Sequence, residues 1–551
     1  MYEREIDGAL FRRMLVCGLR NLKANIETVN DLNVFPIPDG DTGDNMYATL
    51  YGGYKNIPEN CGAALGEASK AVGAGVLLGA RGNSGVILSQ MISGITDEFS
   101  LYESADTALI SKAFSRGVEK AYCSVSSPVE GTMLTVLREA SAYAAENTPD
   151  GSEVEKYFVN FLREGKKSLE RTPEQLPVLK EAGVIDSGGA GVLYIMDGFL
   201  KALRGETDDA VDELAATSAD IDFSLFGEDG VMQYGYCTEF LLQLTRSKID
   251  IGAFSLENFK SRISGFGDSI VAVKTGSIVK IHIHTMTPGA VLSFAQEYGE
   301  FLTLKIENMT LQHNGTAEKK RKNSFRKNPV RSEFAVVAVA DGKGIIDAFK
   351  ELGADLVIDG GQGDNPSVET FLSAFEAVNS DNIFVLPNNS NVIMAANEAA
   401  RIYEKSAVKV IRSRNLGEGY SALAALDYSS GDSEKIAAAM QSDINDSVCA
   451  CVSRSVRDIN SERLSVREGN YIGFVDKEVL VYDADKVTTA KLLTEKLGTD
   501  EKSFLIVFYG AGVTEAERAV YEKFVKTTLP DVEFYGMDGG QGIYDFIIVL
   551  Q

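Results

Sequence analysis

Apolar residues recur at helical spacing through most of the first 200 residues. Side chains three or four positions apart are apolar, which is typical of amphipathic helices. The pattern covers 7–26, 62–79, 105–121, 132–146, 153–169 and 189–204. Alternating β-branched runs are nearly absent there, and glycine-rich turns join the segments. The pattern therefore predicts an all-α domain at 1–204.

The pattern changes after the helical region. An acidic, alanine-rich stretch at 205–222 is typical of a linker. Short alternating strands with helical pieces between them then predict an α+β middle domain at 223–315. A basic, polar segment at 316–332 is either a flexible linker or a docking patch for an acidic partner.

Strands and helices alternate in the C-terminal region, 333–551. This rhythm predicts an α/β domain with a mostly parallel sheet. A glycine-rich stretch, DGGQG, begins at both Asp359 and Asp538. Either two related halves or chance in a glycine-rich chain explains the repeat.

Composition and charge argue against some classes of function and indicate a cellular location. The chain of 551 residues is 44% hydrophobic and carries a formal charge of −25, which argues against general binding to nucleic acids or anionic membranes. The six cysteines lack disulfide spacing, so reduced thiols and a cytoplasmic location are expected. Cys449 and Cys451 have no second pair nearby and are assigned to the core or a loop. The N-terminus lacks a signal peptide, and no apolar run is long enough for a membrane span.

Three acids stand close together in the stretch NVFPIPDGDTGDNM, at Asp39, Asp41 and Asp44. Such acids repel one another unless water or a cation intervenes. Asn33 and Asn45 add neutral oxygens, and Mg²⁺ prefers oxygen ligands of this kind. From the residues alone, the stretch is either a solvated turn or a magnesium site.

Three Gly/Ser loops, at 80–90, 128–140 and 183–193, each lead into a predicted helix. Free backbone N–H groups and the helix dipole stabilise phosphate at such positions. Together with the acids they favour a nucleotide bound with Mg²⁺, although no P-loop motif occurs. The residues expected to contact the nucleotide are Thr42, Gly43, Asn45, Asn83, Ser84, Gly85, Gly131, Thr132, Asp186 and Gly188.

These motifs carry a family resemblance. With LNVFPIPDGDTGDNM, ARGNSGVILSQ, PVEGTMLTV, LKEAGVIDSGGAGVL, YGYCTEF, KIHIHT and LPNNSN in order, the whole chain resembles the large ATP-binding subunit of bacterial fatty acid kinase. The helical part resembles the nucleotide-binding subunit of dihydroxyacetone kinases. The resemblance implies a barrel of eight helices in which clustered aspartates hold paired Mg²⁺ ions on ATP. It places Asp39 and Asp41 on metal-binding acids and Asn33 near a third, whereas Asp44 replaces the usual Thr and is not assigned.

Two histidines stand two positions apart in the strand-like stretch IVKIHIHT. His282 and His284 would face the same side of a strand, and Cys237 on a neighbouring strand could complete a zinc site. The alternative is a pair of surface imidazoles with a buried thiol. The resemblance favours Zn²⁺ on this trio and implies a catalytic or phosphate-handling role for both histidines.

The resemblance also implies an activity. The chain would be a kinase of phospholipid synthesis that phosphorylates the carboxylate of a fatty acid, presented by a separate fatty-acid-binding protein, to give acyl phosphate. The C-terminal domain would be related to that partner and would dock it, and the chain would form a homodimer. The alternatives are a kinase of a small polyol such as dihydroxyacetone, and a nucleotide-binding scaffold or regulator without catalysis.

Overall fold

The computed structural model describes 3–33, 40–57, 64–206, 235–308, 325–361, 364–455, 458–460, 465–476, 478–498 and 502–551. The chain divides into two compact units, one formed by Met1–Leu214 with Arg326–Gln551 and the other by Ala215–Phe325. The helical and C-terminal regions therefore belong to the same unit. None of the helices in the described ranges has the length and apolar character that crossing a membrane requires.

The N-terminal region is helical, as predicted. Its helices are α1 (Gly8–Lys23), α2 (Ile26–Asp31), α3 (Thr42–Lys55), α4 (Leu65–Gly79), α5 (Gly82–Phe99), α6 (Thr107–Cys123), α7 (Met133–Asn147), α8 (Val154–Gln175), α9 (Pro177–Ala182) and α10 (Ser187–Leu203). The described part of this region thus has ten helices rather than eight, of which α2 and α9 have six residues each. The eight longer helices pack in order from α1 to α10, and α10 packs against α1. Their arrangement as an eight-helix barrel stays a prediction.

Glycines allow neighbouring helices to approach closely at two points. A Cβ atom on Gly75 of α4 would lie 2.4 Å from the carbonyl oxygen of Gly52 on α3. A Cβ atom on Gly94 of α5 would lie 2.7 Å from the Cα atom of Gly117 on α6. No side chain fits at such separations, so these glycines set the spacing of the helices.

In its described residues, the second unit holds an antiparallel sheet with two helices, as expected for an α+β domain. Its strands β1 (Tyr236–Leu244), β2 (Asp268–Thr275), β3 (Ile278–Thr285) and β4 (Gly299–Asn308) lie in the order β2-β3-β1-β4. Phe240, Ile281 and Ile283 belong to a buried apolar cluster that also contains Phe259 and Phe294. The last two lie on the helices α11 (Leu256–Ile263) and α12 (Pro288–Gln296).

The C-terminal region begins with a parallel sheet, as predicted. Its strands β5 (Ser332–Ala340), β6 (Leu356–Asp359), β7 (Ser380–Leu386) and β8 (Ala407–Val410) lie in the order β6-β5-β7-β8. Its helices are α13 (Lys343–Glu351), α14 (Val368–Val378) and α15 (Ile393–Ile402), followed by α16 (Leu416–Ala424) and α17 (Ser433–Asp446).

A second, six-stranded sheet follows, and here the prediction of mostly parallel pairing is wrong. The strands of this sheet are β9 (Val448–Arg454), β12 (Tyr471–Val475), β13 (Glu478–Asp483), β14 (Phe504–Tyr509), β15 (Glu533–Asp538) and β16 (Phe546–Leu550), in the order β13-β12-β9-β16-β14-β15. Only β14 and β15 pair in parallel. Because two residues join β12 to β13, that connection is too short for a parallel crossover. The region also contains a short strand pair, β10 (Ile459–Asn460) and β11 (Ser465–Val466), and the helices α18 (Lys486–Leu497) and α19 (Glu515–Thr528).

The loops that follow β5 to β8 lie at the carboxyl edge of the parallel sheet, where open α/β sheets bind ligands. In this molecule they meet the helical region. The backbone N–H of Val368, which begins α14, donates to the carbonyl oxygen of Ala80 at 3.2 Å. Ala80 lies just before α5 in the helical region. The edge of the sheet and the starts of the helices therefore face the same space.

Candidate active site

A cavity of about 700 Å³ lies between the helical region and the carboxyl edge of the parallel sheet. Four long helices, α3, α5, α7 and α10, contribute residues of their first turn to its wall. Helix N-termini carry free N–H groups and a partial positive charge, so the wall suits phosphate groups. It is lined on the helical side by these sequence-predicted residues: Asn33, Asp41, Thr42, Asn45, Asn83, Ser84, Thr132, Asp186 and Gly188.

Asp41 lies at the start of α3 and is only 6% exposed. Its carboxylate makes no capping bond to the helix, although an N-cap aspartate commonly does so. It instead accepts a hydrogen bond from the side-chain amide of Asn365, at 2.5 Å. The same amide lies 3.5 Å from Oδ1 of Asn45. Carboxylate and amide oxygens thus converge in one place, and they are the ligands that Mg²⁺ prefers.

Of the other two acids of the cluster, the structure describes Asp44. Asp44 is exposed and accepts a hydrogen bond from Nδ2 of Asn30 at 2.7 Å. It does not line the cavity, which agrees with leaving it unassigned. Asp39 lies outside the described residues, so its predicted metal role stays a prediction. Within the described residues, no group of three or more His, Cys, Asp or Glu side chains is arranged to hold a metal ion.

Asp186 connects two of the helix starts. Its carboxylate caps α10 by accepting from the backbone N–H of Gly189 at 2.7 Å. A second bond comes from the backbone of Met133, the first residue of α7. Burial raises the pKa of Asp186 to about 6, and these two hydrogen bonds only partly oppose the rise. The group therefore holds the N-termini of α7 and α10 together at the wall of the cavity.

Three of the predicted glycines serve packing rather than the cavity wall. A Cβ atom on Gly43 would lie 2.8 Å from the carbonyl oxygen of Ile26, and one on Gly85 would lie 2.3 Å from Oγ1 of Thr49. Gly131 has a φ of +81°, which favours glycine. None of the three is among the residues that line the cavity. Their predicted contacts with a nucleotide stay untested.

The opposite wall comes from the C-terminal region, for which the sequence predicted no part in the nucleotide site. Nδ2 of Asn83 donates to Oδ1 of Asn391 across the cavity at 3.1 Å. Within the loops, Nδ2 of Asn389 donates to Oδ1 of Asn365 at 3.4 Å. The motif LPNNSN was a signal for two of these asparagines, but nothing local showed what they face. The C-terminal residues of the lining are Asn389, Ser390, Asn391, Arg412, Arg414, Asn415, Cys449, Cys451, Phe474, Asp476 and Tyr544.

Cys449 and Cys451 are buried on β9, as their assignment to the core or a loop allowed. Hydrogen bonding to Cys451, together with burial, raises the pKa of the Cys449 thiol well above its ordinary value. A thiol in this state is a poor nucleophile and a poor metal ligand. Cys449 therefore forms an apolar part of the cavity wall.

The predicted zinc residues lie in the other unit, on neighbouring strands. Across β1 and β3, Cys237 is paired with His284 and Glu239 with His282. Directly paired positions, and positions two apart on one strand, share a face of a sheet. The backbone register thus brings Cys237, His282 and His284 to one face. The side chains of Cys237 and His282 lie outside what the structure describes.

Comparisons with known proteins cover all three regions of the chain. Family models match residues 36–201 (DAK2 domain), 233–316 (the FakA-like middle domain of fatty acid kinase) and 335–551 (the FakA-like C-terminal domain of fatty acid kinase). Protein YloV of Bacillus subtilis is 36% identical over 557 residues, which cover 99% of each chain.

Two solved structures have similar parts. DegV, a fatty acid binding protein from Bacillus subtilis, is 12% identical with a TM-score of 0.31, covering 40% of this chain and 99% of its own. The dihydroxyacetone kinase from C. freundii in complex with AMP-PNP and Mg²⁺ is 17% identical with a TM-score of 0.28, covering 35% of this chain and 34% of its own. Three family models match the chain, and a relative matches it over 99% of both lengths. The chain therefore belongs to the FakA-like family of fatty acid kinase proteins, with a DAK2 domain as its helical region.

Proposed function

We propose that the chain transfers the γ-phosphoryl group of ATP to the carboxylate of a fatty acid held by a separate fatty-acid-binding protein. One observation carries the proposal: in a chain of this kinase family, four helix N-termini and the buried carboxylate of Asp41 line one cavity. Helix N-termini suit the phosphates of a nucleotide.

The residues present also fit Mg²⁺, because the oxygens of Asp41 and Asn45 form a hard donor set at the cavity wall. Asp39 and Asn33 complete the proposed set. When bound, the ion offsets negative charge on the phosphates. The chain itself contributes backbone N–H groups at the starts of α3, α5, α7 and α10, which hold the phosphates in place.

The chemistry of the transfer makes modest demands on the protein. An oxygen of the fatty acid carboxylate forms a bond to the γ-phosphorus while the bond to the β–γ bridging oxygen breaks, and ADP leaves. A carboxylic acid with a pKa of about 4 to 5 is already ionised at neutral pH, so no general base has to remove a proton. Positioning and charge neutralisation are therefore the main requirements.

The direct test is a reconstituted reaction. The full chain is mixed with ATP, Mg²⁺ and a purified fatty-acid-binding protein loaded with oleate, and acyl phosphate is trapped with hydroxylamine as the hydroxamate. We expect hydroxamate in proportion to ADP, and only with the loaded partner. Phosphorylation of dihydroxyacetone without any partner would replace the proposal with a polyol kinase. Nucleotide binding without any transfer would leave a scaffold or regulator.

We further propose that Cys237, His282 and His284 hold Zn²⁺ on the sheet of the middle unit and that the two histidines are required for transfer. The backbone register on one sheet face supports the set, and Cys/His₂ is a donor set typical of zinc. Elemental analysis of the purified chain should give about one zinc per chain, lost in His284→Ala. Full kinase activity in a zinc-free His284→Ala protein would refute the catalytic part.

We also propose that the C-terminal region docks the fatty-acid-binding partner and that the chain is a homodimer. Both proposals rest on the family. Light scattering of the purified chain, alone and mixed with the loaded partner, measures both: a monomer, or no shift in mass on mixing, would contradict them.

A further inference from the structure

The charges around the cavity are unevenly divided between its two walls. The described residues that line the helical side include the acids Asp41 and Asp186 but no lysine or arginine. Helix N-termini and the proposed Mg²⁺ would have to balance a triphosphate and an incoming carboxylate there. Phosphoryl transfer sites ordinarily also place a cationic side chain on the transferring group. Among the residues described as lining the cavity, cationic side chains come from the other wall.

That wall carries two arginines, both in the loop after β8. Arg414 is already neutralised, because its guanidinium contacts Glu418 at 2.7 Å and Asp476 at 2.8 Å. Glu418 is buried, so this pair is held in place. Arg412 is different: no carboxylate of the described residues lies within 4 Å of its guanidinium. Among the described residues that line the cavity, Arg412 is thus the arginine whose guanidinium is not paired with a carboxylate, so it can pair with a bound anion.

The loop that carries Arg412 is well anchored. The backbone N–H of Arg412 donates a hydrogen bond to Oε1 of Gln441 on α17 at 2.9 Å. Next to it, the buried hydroxyl of Ser413 accepts a hydrogen bond from the backbone N–H of Asn388 at 3.0 Å. The loops after β7 and β8 are therefore fixed to one another, and the ion pairs of Arg414 fix the far side of the Arg412 loop. A long side chain on such a base can reach into the cavity without the backbone moving.

The two walls are held in register by polar contacts between buried or half-buried side chains. Asn365, itself 3% exposed, donates to Asp41, and Asn391 accepts from Asn83. These contacts bring the carboxyl edge of the parallel sheet, which is the usual ligand-binding edge of an open α/β sheet, onto the starts of the helices. The sheet edge is thus placed as the second half of a site rather than as a separate surface.

We infer that Arg412 completes the phosphoryl-transfer site by pairing with an anionic oxygen in the cavity, either of the γ-phosphoryl group or of the acceptor carboxylate. This inference rests on the proposed function and deepens it. The C-terminal region then contributes directly to the reaction, beyond any part in docking the partner. A guanidinium suits both anions, since its planar fork matches the oxygens of phosphate and carboxylate alike.

The experiment compares Arg412→Ala and Arg412→Lys with Lys435→Ala in the full chain. Lys435 is a matched control, because it is an exposed cation of the same region, as Arg412 is, but does not line the cavity. Calorimetry measures the Kd of ADP and of AMP-PNP with Mg²⁺, and steady-state kinetics measure kcat and KM for the oleate-loaded partner.

Two results support the inference and identify the anion. Weaker binding of AMP-PNP in Arg412→Ala, by about 10- to 100-fold with ADP unchanged, assigns Arg412 to the γ-phosphoryl group. Unchanged Kd values with a similar loss in kcat/KM for the loaded partner assign it to the acceptor carboxylate. Arg412→Lys should restore part of either loss. If all four parameters match those of Lys435→Ala, the inference is wrong. If the wild-type chain makes no acyl phosphate, the proposed function fails, while the nucleotide measurements still test Arg412.

Discussion

At the residue scale, Asp41 and Asp44 lie three residues apart in the chain but in different environments. Asp41 is buried at the cavity, whereas Asp44 is exposed and bonded to Asn30. We expect Asp41→Asn to abolish most of the Mg²⁺-dependent gain in ATP affinity, because a neutral amide is a much weaker ligand for a hard cation. Asp44→Asn is the matched control and should bind ATP as the wild type does.

The measurement is calorimetric titration of ATP with and without Mg²⁺ on each protein. Equal losses in both variants would mean that the net negative charge of the segment matters rather than a ligand at Asp41. An unchanged Asp41→Asn protein would remove Asp41 from the proposed metal set.

Asp186 predicts a dependence of stability on pH. Its pKa is raised from the ordinary value of 3.8 to about 6 by burial, so between these values the folded state keeps a proton that the unfolded state loses. The stability that this group contributes is fully present below about pH 4 and is lost as the pH rises through 6. The loss amounts to about 3 kcal/mol.

Asp186→Asn lacks this titration, so the difference in unfolding free energy between wild type and variant isolates it. We expect the wild type to lose about 3 kcal/mol relative to Asp186→Asn between pH 4 and pH 7. Urea unfolding followed by circular dichroism gives both values, and the other titrating groups cancel in the difference. A difference that stays constant with pH, or that grows in favour of the wild type, would contradict the burial of this carboxyl.

At the element scale, Gly85 determines how closely α5 approaches α3. A Cβ atom there would lie 2.3 Å from Oγ1 of Thr49 and 3.1 Å from the carbonyl oxygen of Asn45. Gly85→Ala should therefore push the two helix starts apart and cost about 1 to 3 kcal/mol, despite the better helix propensity of alanine. ATP affinity should fall as well, since both helices line the cavity.

Gly289→Ala is the control for the general effect of alanine in a helix. Gly289 lies in the first turn of α12, and a Cβ atom there would meet nothing within 4 Å. Thermal unfolding should show a lower melting temperature for Gly85→Ala and no decrease for Gly289→Ala. Equal behaviour of the two variants would show that the approach of α3 and α5 is not limiting.

The elements that the sequence predicted well are those with a clear period and a clear stop. Helical spacing at 62–79 and 189–204 was realised as α4 and α10, and the glycine loop at 80–90 does open onto the start of α5. The helix α3 was missed, because its first turn, Thr42–Asn45, was interpreted as part of a polar turn. Its apolar face, with Met46 and Leu50 buried, begins only after the acids. Strand pairing in the second C-terminal sheet was missed because a βα rhythm does not encode the direction of distant strands.

At the scale of the whole molecule, the sequence could not show that the site has two walls. Nine predicted residues lie on the helical wall, where local motifs mark helix starts. Asn365, Asn389 and Arg412 are more than 300 residues away in the chain from Asp41, and they are polar residues in ordinary loops after strands. Only the docking of the sheet edge against the helices places them near the cavity. Long-range packing of this kind leaves no periodic signal in one sequence.

The hydrogen bond between Asn365 and Asp41 joins the two walls, so its energy indicates how strongly they are coupled. Leaving a buried acceptor without its hydrogen-bond partner costs about 1 to 3 kcal/mol, so Asn365→Ala should destabilise the chain by a comparable amount. The same substitution made in an Asp41→Ala background should cost much less, because the acceptor is already gone. A double-mutant cycle on urea unfolding should then give a coupling energy of about 1 to 3 kcal/mol.

A second cycle, between Asn365 and the exposed Asp44, controls for indirect effects, since Asp44 bonds to Asn30 and not to the sheet edge. Its coupling energy should lie within about 0.5 kcal/mol of zero. If the coupling energy of the Asn365–Asp41 cycle is also zero, this hydrogen bond does not help to hold the two walls together. The C-terminal region could then move away from the helical wall at no cost from losing the bond. If the coupling is present and is lost on adding Mg²⁺ and ATP, the ligand takes over the carboxylate that Asn365 holds. The walls would then be joined through the bound nucleotide instead of through Asn365.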